Sequence, residues 1–209
     1  MKHENYFTNY RSAISASLAA LEATDAHGEP LTHDEAFDAW VRSTRALPER
    51  NRKQFICGNG ASAAFANHMA LDWTKNGKVT THSFSDSALL TAVSNDLGVE
   101  AIFSSPLRWY GQKGDQLVAI TSSGNSPNII AAIKVARELG IYVVTLSGLK
   151  RDNACRSLGD LNFYVPAKTY GVVECAHQVL LHSWLDQHLD IEEWNRSDEQ
   201  NMRYDQYNP

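Results

Sequence analysis

Cysteine is scarce in this 209-residue sequence: Cys57, Cys155 and Cys175 stand at irregular spacings, without a CxxC pair. An odd number so placed argues against a disulfide framework or a cysteine zinc site and reads as buried thiols. Runs of basic charge are lacking too. Lys and Arg are scattered through a chain of formal net charge −5, which argues against nucleic acid as a partner and requires any anionic ligand to be held locally. No apolar run approaches the roughly 20 residues that span a bilayer. Met1 to Arg11 also lacks the basic-then-apolar order of a secretory signal, so no membrane role and a cytoplasmic location are expected. Nucleotide signatures are missing as well. Gly58-Asn59-Gly60 has no third glycine of the dinucleotide fingerprint, and no GxxxxGK[ST] occurs.

What is present is ordinary globular composition, 43% hydrophobic and 21% charged, at a length that suits one sizeable core. A single domain over residues 1–195 is expected, with a helical extension over 1–50 and a polar tail over 196–209. Phe7, Tyr10, Ile14, Leu18 and Leu21 recur at spacings of three and four, which predicts an amphipathic helix from Asn5 to Ala23. A second helix is expected over Asp34 to Leu47. Thr24 to Thr32, with Gly28 and Pro30, reads as the loop between them.

After Arg52 short apolar runs alternate with helical stretches. Strands are expected at Gln54 to Cys57, Val79 to Ser83, Leu117 to Thr121, Tyr142 to Ser147 and Leu161 to Val165. Helices fall between them, and a last one runs from about Val172 to Trp194. That order predicts a parallel sheet with right-handed crossovers and helices on both faces, an α/β fold.

In such a sheet, ligands bind beyond the carboxyl ends of strands, where a turn leads into a helix whose N-terminus favours anions. Two segments fit. Cys57-Gly58-Asn59-Gly60-Ala61-Ser62 offers small residues for close backbone approach and a serine that can cap or donate. Thr121-Ser122-Ser123-Gly124-Asn125-Ser126 brings four hydroxyls and several amides together before Pro127, a nest able to hold a phosphate without a lysine. Either turn alone is an ordinary polar loop; two of them on one sheet point to a ligand.

His68 and Asp72 stand four apart on one expected helix, about 40° apart around it, so both can face one ion. Glu174 and His182 stand eight apart on the last helix, about 80° apart and two turns along. Two imidazoles and two carboxylates suit a borderline metal such as zinc.

At these residues the sequence resembles the phosphoheptose isomerases, a branch of the sugar isomerase (SIS) domain proteins, from about Phe55 to His182. The markers are the Gly58 to Ser62 turn, Ser94-Asn95-Asp96, the Ser123 to Ser126 loop, and the last helix with Glu174 and His182. The resemblance implies a three-layer αβα sandwich with a five-stranded parallel sheet and N-terminal helices. It implies a homotetramer with active sites at subunit interfaces and a heptose phosphate as ligand. Thr121, Ser122, Ser123 and Ser126 match the phosphate loop, with Ser62 nearby. Asn59 and Asp96 match sugar-contacting positions, and Gly60, Asn95 and Glu174 join the expected substrate-binding set. His68, Asp72, Glu174 and His182 match zinc ligands, and Asp72 and His182 are the expected acid-base pair for an enediol isomerisation. Two positions depart from the family, which usually has glutamate at Asp72 and glutamine at Glu174. The rival readings are a nonenzymatic scaffold that associates with a replication initiator, disfavoured by ionisable groups at all four positions, and an arabinose 5-phosphate isomerase.

Overall fold

The computed structural model describes residues 4–195; the expected 196–209 tail lies outside the described residues. Helix α1 (Tyr6–Ala19) leads to strands β1 (Glu22–Asp25) and β2 (Pro30–Leu31), then α2 (His33–Glu49). The alternating part follows as β3 (Gln54–Gly58), α3 (Ala61–Lys75), β4 (Thr81–Ser83), α4 (Ser87–Leu97), α5 (Ala101–Tyr110) and β5 (Gln116–Thr121). It continues through α6 (Pro127–Glu138), β6 (Tyr142–Gly148), a 3-10 turn (Ala154–Ser157), β7 (Leu161–Val165) and α7 (Tyr170–His188). The sheet order is β2-β1-β7-β6-β5-β3-β4, and β3 to β7 form the expected five parallel strands.

Every residue of β3, β5 and β7 is buried, because helices cover both faces. The period of two divides β3 and β5 between two cores. Val118 and Ile120 join the core that contains Trp40, Trp73 and Trp184, whereas Leu117 and Ala119 join the one that contains Phe103 and Ile133. In the first core the Trp184 ring packs on Trp40 at 4.2 Å and on Trp73 at 4.1 Å, which locks α7 against α2 and α3.

Three expectations change. Thr24 to Thr32 is not a plain loop: β1 and β2 form a hairpin that adds antiparallel to β7, making seven strands in all. Asp25 Oδ1 accepts from the amides of His27 and Glu29, and Gly28 takes φ +81°, so the residues that signalled a loop build a tight turn inside a very short hairpin. The last helix ends at His188 rather than Trp194. Asp190 takes the left-handed conformation, the Ile191 amide donates to the Asp186 carbonyl at 2.9 Å, and Arg45 donates to the carbonyls of Gln187 and His188. This is a Schellman ending without its usual glycine. Finally, Cys57 and Cys155 are buried but Cys175 is exposed. Among the described residues no helix is long and apolar enough to cross a membrane.

Candidate active site

Strands β3 and β5 are neighbours, so the two turns beyond their carboxyl ends meet. Gly58 is required by close approach: a Cβ there would lie 2.5 Å from Ser62 Cβ. The serine loop is tied down from several sides. The Gly124 amide donates to Thr121 Oγ1 at 3.2 Å, Gly124 O accepts from the Cys155 amide, and Asn125 Oδ1 accepts from the Ala154 amide. Gly124 adopts φ +67° directly against Asn153, whose Oδ1 would lie 1.9 Å from an added Cβ.

Between the turns is a cavity of about 300 Å³. Asn59, Gly60, Ser62, Thr121, Ser122, Ser123 and Ser126 line it, and so does Glu174. Ser122 Oγ is buried with no hydrogen-bond partner among the described residues, an arrangement that costs free energy unless a ligand supplies the missing bond. At the N-terminus of α6, Pro127 has no amide hydrogen and the Ile129 amide already donates to Ser126 O and Asn128 Oδ1, which leaves the Asn128 amide as the unpaired donor of the first turn among the described residues; Ser126 makes no side-chain cap. Among the described residues no lysine or arginine lines the cavity, so hydroxyls and amides are the donors available to an anion there. Glu174 is the one charged lining residue, and its repulsion assigns it to an uncharged part of such a ligand.

A second cluster stands farther along the same two helices. His68 and Asp72 on α3 and His182 on α7 place one donor atom each within 4.8 Å of one another. His68 Nε2 lies 3.2 Å from Asp72 Oδ2, and the two imidazole rings are 5.4 Å apart. The Trp73–Trp184 contact aligns them, since Asp72 precedes Trp73 and His182 lies two residues before Trp184. Two imidazoles and a carboxylate fit a divalent ion of the zinc type. Glu174 stands apart from this trio, two turns back along α7 and about 12 Å by helical rise. Asn95 and Asp96 are exposed on α4, where Asn95 Nδ2 donates to Asp96 Oδ1 at 2.8 Å, and they do not line the cavity.

Two contributors had no signal in the sequence. Asn128 exchanges a reciprocal pair of 2.9 Å amide hydrogen bonds with Asn59, which clamps the glycine turn to the start of α6. Tyr170, the first residue of α7, is a further wall of the cavity. His177 is fully buried on α7 near the site, but burial holds its pKa down to about 4, against the raising effect of its hydrogen bond to Ser147 O. It is a neutral packing residue.

The parallel sheet, with a cavity lined by hydroxyls at its strand ends, defines an α/β protein of the class that takes small molecules beyond the carboxyl ends of its strands. The family model for the SIS domain matches residues 9–148. The chain is 37% identical over 138 residues to a phosphoheptose isomerase of Fusobacterium nucleatum, covering 64% of this chain and 71% of that protein. It is also 37% identical over 141 residues to one from Campylobacter concisus, covering 65% and 74%. The solved phosphoheptose isomerase from Neisseria gonorrhoeae superposes with a TM-score of 0.76 at 28% identity, covering 88% of this chain and 96% of that one. The chain belongs to the SIS-domain family, and within it to the phosphoheptose isomerases.

Proposed function

We propose that the protein is an aldose–ketose isomerase that interconverts sedoheptulose 7-phosphate and D-glycero-D-manno-heptose 7-phosphate through an enediol. The observation that carries this reading is a serine-lined cavity walled by the first turns of α3 and α7, with a His-Asp-His cluster farther along the same pair of helices. Ser62 and His68 are separated by about 9 Å of rise on α3, a span suited to a sugar phosphate anchored at one end and reacting at the other. The phosphate accepts from Ser122, Ser123, Ser126 and Thr121 and from the Asn128 amide. Asn59, held by Asn128, meets the sugar hydroxyls, and Glu174 accepts from them. Asn95 and Asp96 reach the sugar only if α4 or a neighbouring copy brings them to the cavity.

Asp72 and His182 are the acid-base pair: one removes the proton beside the carbonyl and the other moves a proton at the oxygen. The division between them stays open. His68, Asp72 and His182 would hold zinc, with Glu174 as a fourth ligand where its side chain turns along α7 toward His182. Zinc, when bound, supplies a Lewis acid that polarises the substrate oxygens. Asp72 has two carboxylate oxygens, so one can serve the ion while the other faces substrate. Its shorter side chain, relative to the family's glutamate, sets that oxygen farther back.

We assign residues 1–195 to a single SIS unit that assembles as a cytoplasmic homotetramer with interfacial sites. Exposed Leu71 and Val179 support the assembly, because they flank the His-Asp-His cluster on α3 and α7, and exposed Tyr6 and Phe7 extend the apolar surface on α1. The test is turnover: protein incubated with sedoheptulose 7-phosphate and zinc should yield the aldose, and Asp72→Ala and His182→Ala should each lose at least 100-fold in kcat/KM. A wild type that forms no aldose, with both variants indistinguishable from it, overturns the reading.

A further inference from the structure

We propose that a cleft at the amino-terminal end of the central strands, opposite the serine loop, binds a small diphosphate-bearing molecule, with Arg42 and Arg50 as its anchors. The cleft has a volume of about 670 Å³, more than twice that of the serine cavity. Gln116 and Tyr142, the first residues of β5 and β6, line it, whereas the serine loop follows the last residue of β5. About 17 Å of strand therefore separates the two sites.

Charge is the leading observation. Arg42 and Arg50 make no side-chain hydrogen bond or ion pair among the described residues, although both line a concave surface. Arg45, Arg108 and Arg151, also exposed, each hold a carboxylate. The two acids that line the cleft are already engaged. Asp115 accepts from the amides of Lys53 and Gln112 and pairs with Lys53 Nζ at 3.4 Å. Asp160 accepts from the Val143 amide at 2.8 Å and from Arg137. A protein of net charge −5 thus keeps an uncompensated positive hollow.

The geometry selects the class of ligand. Arg42 lies on α2 and Arg50 caps its C-terminus eight residues on, about 12 Å along the axis, with Ala46 between them leaving the floor open. A planar guanidinium binds phosphate oxygens bidentately, and two of them at this spacing suit linked phosphates better than a single one. Leu47, Ile141 and the Tyr142 ring provide apolar wall for an uncharged remainder. Burial raises the Tyr142 phenol to about 12, so it stays a neutral donor.

Inorganic pyrophosphate, titrated calorimetrically into the zinc-free full chain at low ionic strength, tests this. Wild type should take up two equivalents per chain, one in each site. Arg42→Gln/Arg50→Gln should weaken one of them at least ten-fold and keep the other, with an unchanged thermal midpoint and unchanged isomerase turnover in the absence of pyrophosphate. Ser123→Ala/Ser126→Ala should weaken the second one instead. The proposal is overturned if wild type binds a single equivalent that only the serine substitutions remove, or if the arginine variant binds as wild type does.

Discussion

Replacing Gly124 by alanine separates two costs that the serine loop imposes on its glycine. The first is conformational: φ +67° is left-handed, which costs an alanine about 1–2 kcal/mol. The second is steric. The new Cβ would sit 1.9 Å from Asn153 Oδ1 and 2.2 Å from its Cγ, and Asn153 is a buried residue that donates to Gly148 O and Lys150 O and caps the 3-10 turn. Relieving that overlap means moving Asn153 or the loop, at about 1–3 kcal/mol. Gly28 is the control, because it has φ +81° and nothing within 4 Å of a built Cβ. For a chain of this size, Gly28→Ala should lower Tm by roughly 2–8 °C, and Gly124→Ala by roughly a further 2–12 °C, both at one protomer concentration. Gly124→Ala should also raise KM for the sugar phosphate about ten-fold or more, because the displaced loop carries the phosphate hydroxyls, while Gly28→Ala leaves KM unchanged. Adding Asn153→Ala removes Oδ1 and Cγ, so the double variant should lose less than the sum of the singles. Equal Tm shifts for the two glycine variants, with KM untouched in both, would refute the steric reasoning.

Other outcomes follow from the same geometry. Asn128→Ala deletes both hydrogen bonds to Asn59 and should cost about 1–3 kcal/mol of stability by chemical denaturation, together with a raised KM. His177 contributes a pH dependence whose sign is fixed by its depressed pKa. The unfolded chain binds a proton near pH 6.5 that the fold refuses until about pH 4, so stability is complete above pH 6.5 and falls as pH drops toward 4. The full effect is on the order of 3 kcal/mol, and His177→Gln should flatten it in denaturant titrations across that window. Zinc bound by equilibrium dialysis should fall at least ten-fold in His68→Ala, whereas Glu174→Gln should retain it if the His-Asp-His trio carries the affinity.

The sheet was legible because β3, β5, β6 and β7 are continuous apolar runs punctuated by helical periods, and a strand buried on both faces leaves that trace. The hairpin was not: β1 and β2 have four and two residues, too few for alternation to register, and Asp25, Gly28 and Pro30 carry the signature of a loop. Helix α7 was read too long because its stop depends on Asp190 in a conformation that glycine usually signals. In the site, Asn59, Ser62 and the Thr121 to Ser126 loop follow directly from strand-then-turn order. The His68–Asp72 pair also follows, since both lie on one helix. Their meeting with His182 depends on tryptophan packing between α3 and α7, which no spacing reveals. The same holds for the Asn59–Asn128 clamp, whose partners are 69 residues apart. The place of Glu174 in the cavity, apart from the trio, likewise required the helix in three dimensions.

The most direct measurement is a structure of the zinc-loaded protein with a sugar phosphate bound. Ser122 Oγ should lie within hydrogen-bond distance of a phosphate oxygen, zinc should be ligated by His68, Asp72 and His182, and the carbon beside the carbonyl should lie next to Asp72 or His182. A phosphate seated away from the serine loop, or a sugar whose reacting carbon is out of reach of both residues, would contradict the account.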